Sequence, residues 1–134
     1  MLTKIFSGLL GLSLVLASPP VVARSILVGV TNEGAKLYAL TNYPPNSEDD
    51  GMEGWTSFIY AVEDARGYRE VKAYTSFCNG GNVLSHPVKG TKDTMKVPGW
   101  HSETIRGSIS VVADSQASKN LLKSVCYIVY NQFH

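Results

Sequence analysis

This sequence lacks an excess of charge of either sign, an apolar run long enough to cross a bilayer, and the short motifs that announce common catalytic sites. Twelve Lys and Arg stand against eleven Asp and Glu in 134 residues, so nothing draws the whole chain toward nucleic acid or anionic lipid, and neither partner is expected. The mainly apolar stretch from Ile5 to Ala17 is shorter than the roughly 20 residues a spanning helix needs. There is no G-x-S-x-G, no G-x-x-x-x-G-K-[ST] and no G-x-G-x-x-G, which leaves nucleophile-elbow hydrolysis and phosphate-cradling nucleotide binding without support. Cysteine is scarce as well. Cys78 and Cys126 form no C-x-x-C, and neither has metal-ligand spacing with His86, His101 or His134; no cofactor or metal is expected. What remains is the composition of one ordered domain: 44% hydrophobic, 17% charged, with seven Tyr, four Phe and two Trp.

Residues 1–23 read as a cleaved export signal. Lys4 precedes the apolar stretch, Pro19-Pro20 breaks it, and Val21-Val22-Ala23 places small residues for cleavage before Arg24, with Ala17 as the alternative site. The mature domain is then 24–134, exported to the periplasm, the cell surface or the medium, with no membrane span after cleavage. In an oxidising space two cysteines permit one intramolecular pairing, so Cys78 and Cys126 are expected as a structural disulfide rather than as reactive thiols.

Along the mature chain, Ser25–Thr31 and Ala35–Thr41 read as a β-hairpin turning at Asn32-Glu33-Gly34. Residues 42–53 carry two prolines and a run of acids and read as a solvated loop. Residues 55–62 and 70–78 read as a third and a fourth strand, 83–88 as a short edge strand at most, 89–106 as mostly loop, and 109–113 as a last strand. Asp114-Ser115 offers cap chemistry for a helix from about Gln116, in which Ala117, Leu121, Leu122, Val125 and Cys126 form one apolar stripe; residues 127–130 fit helix or strand equally. The fold class expected is α+β: an antiparallel meander of about five strands with one C-terminal helix packed on a face.

Three patterns bear on function. The acids Glu48, Asp49, Asp50 and Glu53 lack the alternate spacing of a calcium loop and read as solvated. His86, His101 and Glu103, near Lys89, Lys92, Lys96 and Arg106, supply the residue types of a small secreted phosphodiesterase or ribonuclease: a general acid, a general base and cations for phosphate. His101 and Glu103 share a face only if that segment is extended. Finally, residues 48–64 hold six acids and no base, whereas 66–106 are biased to base. This asymmetry, with Trp100 beside Pro98-Gly99 as either an exposed aromatic anchor or a core residue, makes Trp100, His101, Arg106, Lys92 and Lys96 the candidate binding residues for a protein or polysaccharide.

Three stretches resemble the surface-adhesin protein E-like family of small exported bacterial proteins: G-V-T-N-E-G-A-K-L-Y-A at 29–39, A-Y-T-S-F-C-N at 73–79, and A-D-S-Q-A-S-K-N-L-L-K-S-V-C at 113–126. The resemblance implies an antiparallel sheet with a C-terminal helix and no catalysis. The expectation is therefore a non-enzymatic, adhesin-like binding domain of the cell envelope, with the small hydrolase as the alternative.

Overall fold

The computed structural model describes residues 25–47, 54–79 and 81–132; the segment read as an export signal and the acids at 48–53 lie outside them. Six strands, β1 (Ser25–Val30), β2 (Lys36–Leu40), β4 (Thr56–Asp64), β5 (Gly67–Thr75), β8 (Gly99–Thr104) and β9 (Gly107–Val112), lie side by side in that order, every neighbour antiparallel. The two-residue strand β3 (Asn46–Ser47) continues the β2 side of β4 by pairing with Ser57 and Thr56. A small hairpin, β6 (Cys78–Asn79) with β7 (Asn82–Val83), stands apart from the sheet. Helix α1 (Gln116–Gln132) packs across one face against β1 and β2 and reaches β6 and β7.

Local chemistry sets these boundaries. Ala65-Arg66 makes the β4–β5 turn, and Gly67 leaves it with φ +101°, a conformation costly for any residue with a Cβ. Asp64 fastens the same turn by accepting from both terminal nitrogens of Arg69, at 2.9 and 3.0 Å, and from the Arg66 amide, which hold its carboxyl well below the usual carboxylate range. Ser115 caps the helix. The Ser118 amide donates to Ser115 Oγ at 3.0 Å and the Ser115 amide donates back to Ser118 Oγ at 2.9 Å, so two orphan amides are satisfied reciprocally.

The core lies between helix and sheet. The expected stripe of Ala117, Leu121, Leu122, Val125 and Cys126 is at most 4% exposed and meets Leu37, Phe58, Tyr60, Phe77 and Trp100 from the sheet side. Each such large side chain contributes roughly 1.5–3 kcal/mol on burial. Helix and sheet approach closely at β1, where the pairing shifts between Leu27 and Gly29. A Cβ on Gly29 would fall 2.9 Å from that of Ala117, and the carbonyl of Val28 accepts from Asn120 Nδ2 at 3.0 Å. Cys78 on β6 and Cys126 on α1 are joined by a disulfide.

Several sequence expectations are corrected. The sheet has six full strands and one short one instead of about five. The most consequential difference is β8, which lies within the segment read as mostly loop and sits between β5 and β9. Its core side presents one large apolar residue, Trp100, and then Ser102, so the period-two signal is thin. The fourth strand begins at Gly67 and ends at Thr75, whose hydroxyl donates to the Gly99 carbonyl at 2.6 Å and accepts the Phe77 amide at 3.2 Å, turning the chain before Cys78. The possible strand at 83–88 reduces to Asn82–Val83, and the segment read as loop from residue 42 contains β3. Residues 127–130 are helical.

Candidate functional site

The sheet face away from α1 carries the side chains that alternate with the core. Pairing places Asn46, Ser57, Tyr74, His101 and Ser110 in one cross-strand row over β3, β4, β5, β8 and β9. Rings gather at its centre: Tyr74 stacks on His101 with centroids 5.3 Å apart and planes 25° apart, and Trp55 meets Tyr74 edge-on at 5.3 Å and lies 5.8 Å from His101. Beside them Ser108 and Ser110 are exposed, Tyr74 donating to Ser108 Oγ at 3.4 Å.

The loop joining β7 to β8 delivers one more group. It is tied down by the Leu84 amide on Phe77 O and the Val88 amide on Ser76 O, and it brings Asp93 against Ser76 and His101, with that side chain 1% exposed. Asp93 accepts from the Ser76 hydroxyl, from the Met95 amide at 3.0 Å and from His101 Nε2 at 3.0 Å. Burial opposes its ionisation, but the donations from Ser76, Met95 and His101 outweigh that cost and hold the carboxyl below its ordinary range. A carboxylate only accepts, so Nε2 carries a proton, and whenever the ring is neutral Nδ1 is an acceptor. Ser110 Oγ is 3.2 Å from that Nδ1. A continuous chain therefore runs from buried Asp93 through His101, whose side chain is 14% exposed, to a hydroxyl on the open face.

The residues singled out from sequence are dispersed. Trp100, considered as an exposed anchor, is 1% exposed: strand alternation turns it inward against Phe58 and Tyr60, and its indole donates to Ser102 Oγ at 3.1 Å. Ser102 Oγ also bonds Tyr60 Oη at 2.7 Å, which satisfies the polar atoms buried there. Lys92 and Lys96 are exposed on the Asp93 loop, and Arg106 is exposed in the turn at the far end of the β8–β9 hairpin. His86 is exposed and bonded to the neighbouring Ser85, and Glu103 is exposed two residues beyond His101 on the same face. Among the described residues no hydrogen bond or ion pair joins His86, His101 and Glu103. The structure instead gives His101 partners the sequence did not suggest: Asp93, Ser110, Tyr74 and Trp55. Ser110 alternates with Ile109 and Val111 in a strand that was read from sequence, so its face was legible; nothing marks Asp93.

No family model, curated protein or solved structure matches the chain. A separate cleft of ≈ 400 Å³ opens on the helix side, lined by Glu33, Tyr60, Trp100, Asp114 and Ser115 among others.

Proposed function

We propose that the domain is an exported binding module that takes a neutral saccharide on the open sheet face, against Trp55, Tyr74 and His101. The observation that carries this reading is the ring cluster itself: three aromatic side chains on a solvent-facing sheet, bordered by the Ser108 and Ser110 hydroxyls. Sugars offer apolar C–H faces to rings and hydroxyls to polar neighbours, and a few placed polar groups around an aromatic surface are the usual composition of such sites. Exposed aliphatics, the natural anchors for protein partners, are spread instead over the edge strands, as Ile26 and Val30 on β1 and Ile109 and Val112 on β9, with Ile105 in the β8–β9 turn and Val97 on the Asp93 loop. A near-neutral charge balance favours a neutral glycan over an anionic one. The disulfide suits an oxidising compartment, and the resemblance to surface-adhesin protein E-like proteins agrees with contact at the cell envelope.

The test is an array of neutral oligosaccharides probed with the disulfide-intact protein, followed by titration of the best hit with Trp55→Ala and Tyr74→Ala. Loss of at least tenfold in affinity with unchanged melting curves would support the reading. Absence of any saccharide hit, or full binding by both variants, would overturn it.

A further inference from the structure

The hydrogen-bonded chain Asp93–His101–Ser110 exceeds what a binding surface requires. Each link has a direction. Asp93, buried and ionised, fixes the proton on Nε2; Nδ1 is thereby turned into a base; the hydroxyl it faces, Ser110 Oγ at 3.2 Å, is exposed to solvent. These are the parts of an activated nucleophile: an attacking oxygen, a base within reach and a third group that orients the base. The two ring nitrogens exchange the places they most often take in such triads: here Nε2 holds the proton shared with Asp93 and Nδ1 is the one that accepts.

The backbone adds a donor. The Ala113 amide bonds the Pro98 carbonyl at 2.9 Å, and the β8–β9 register alternates from that pair. His101 and Ser110 therefore form a non-hydrogen-bonded pair, the kind in which side chains lie closest. The Ser110 N–H consequently points to the open edge of β9, the last strand of the sheet, where it can meet an oxyanion developing on a group attached to its own Oγ.

We infer that Ser110 is a nucleophile that accepts acyl groups from short-chain carboxylic esters, with His101 as its general base. In the first half-reaction Ser110 Oγ bonds the ester carbonyl carbon and its proton passes to His101 Nδ1. The bond from that carbon to the alcohol oxygen then breaks, and the alcohol leaves with the proton from Nδ1. In the second, water attacks the acyl-Ser110 carbonyl as Nδ1 takes its proton; the carbon–Oγ bond breaks, the carboxylic acid leaves and Ser110 regains its hydrogen. Ester and water give acid and alcohol, and the protein returns unchanged. Short acyl groups are specified because Ser110 is exposed on the last strand of the sheet, beside the His101 ring that stacks on Tyr74. Asp93 is a positioning residue, since it acts through His101 alone.

The experiment uses the disulfide-intact protein, a fluorophosphonate probe with peptide mapping by mass spectrometry, and p-nitrophenyl acetate turnover across pH. The expected result is a probe adduct on Ser110. Ser110→Ala should lose the adduct and at least a hundredfold of turnover, and this exposed, small change leaves the melting curve in place. His101→Gln should lose a comparable factor, and Asp93→Asn should displace the pH–rate profile, which a merely structural aspartate would not do. Absence of an adduct on Ser110, equal turnover by Ser110→Ala, or equal labelling of Ser110 in a folded His101→Gln would each overturn the inference. Because the readout is covalent labelling and ester cleavage, it stands or falls separately from saccharide binding.

Discussion

Replacing both Cys78 and Cys126 by Ala isolates the contribution of the covalent link between helix and hairpin. The bridge spans a sequence separation of 48 residues, and opening a loop of that size returns about 4 kcal/mol of entropy to the unfolded chain. Cys126 is 1% exposed among Phe77, Leu122 and Val125, so losing its sulfur removes about 1 kcal/mol of packing as well. The sum, about 5 kcal/mol, is comparable to the whole stability of a domain at the lower end of the usual range. Urea unfolding, followed by fluorescence from the buried Trp100, should show the midpoint falling by between about 3 and 4 M for a slope near 1.3 kcal/mol/M, or no folded baseline at all. A decrease worth less than about 1 kcal/mol would refute the reasoning, because it would mean that the unfolded chain already holds these two segments together without the bond.

Gly99→Ala should destabilise by more than about 2 kcal/mol in the same assay, since the new Cβ would fall 2.2 Å from the Val111 carbonyl oxygen, a backbone atom of the neighbouring strand that cannot swing aside. Asn120→Ala should cost about 1 kcal/mol by leaving the Val28 carbonyl unpaired at the β1 irregularity, visible also as faster hydrogen exchange there. Acid stability should report on Asp93. Its folded pKa lies below the unfolded value, so its contribution is fully present above the ordinary carboxylate range and is lost as pH falls through the depressed folded value. Asp93→Asn should flatten that part of the stability–pH curve relative to the parent protein, and an unchanged acid limb would contradict the assignment.

Much of the fold was legible wherever a local signal and its tertiary use agree. The first hairpin is written in a β-branched run, a turn ending in Gly34 and a second alternating run; the helix start is written in Ser115 and the stripe behind it. Strand β8 was not, because Ser102 occupies a core position as the shared partner of Tyr60 and Trp100, and a polar residue used inside looks like one used outside. Trp100, which the sequence left open between an exposed anchor and a core residue, is buried in the core. His101 was grouped from sequence with His86 and Glu103, whereas the structure sets it beside Asp93, Ser110, Tyr74 and Trp55. Its hydrogen-bond partners come from a loop eight residues earlier and from the next strand, and no spacing in the chain announces that the β7–β8 loop brings Asp93 against it.

The strand order follows chain order, which gives the molecule an uneven assembly schedule. Every pairing among the six full strands joins one to the next full strand along the chain, with β3 intervening between β2 and β4 and the β6–β7 hairpin and its long loop between β5 and β8, so most of the sheet can zip in order as the polypeptide is made. Their apolar side gains its cover only when α1 arrives, and that helix packs against β1 and β2, the earliest strands of the sheet. A nascent chain stalled before residue 116 would therefore present Leu37, Phe58, Tyr60 and Trp100 to water, a natural target for holding chaperones and for aggregation. Completion of α1, and not strand pairing alone, is what covers the apolar face of the sheet.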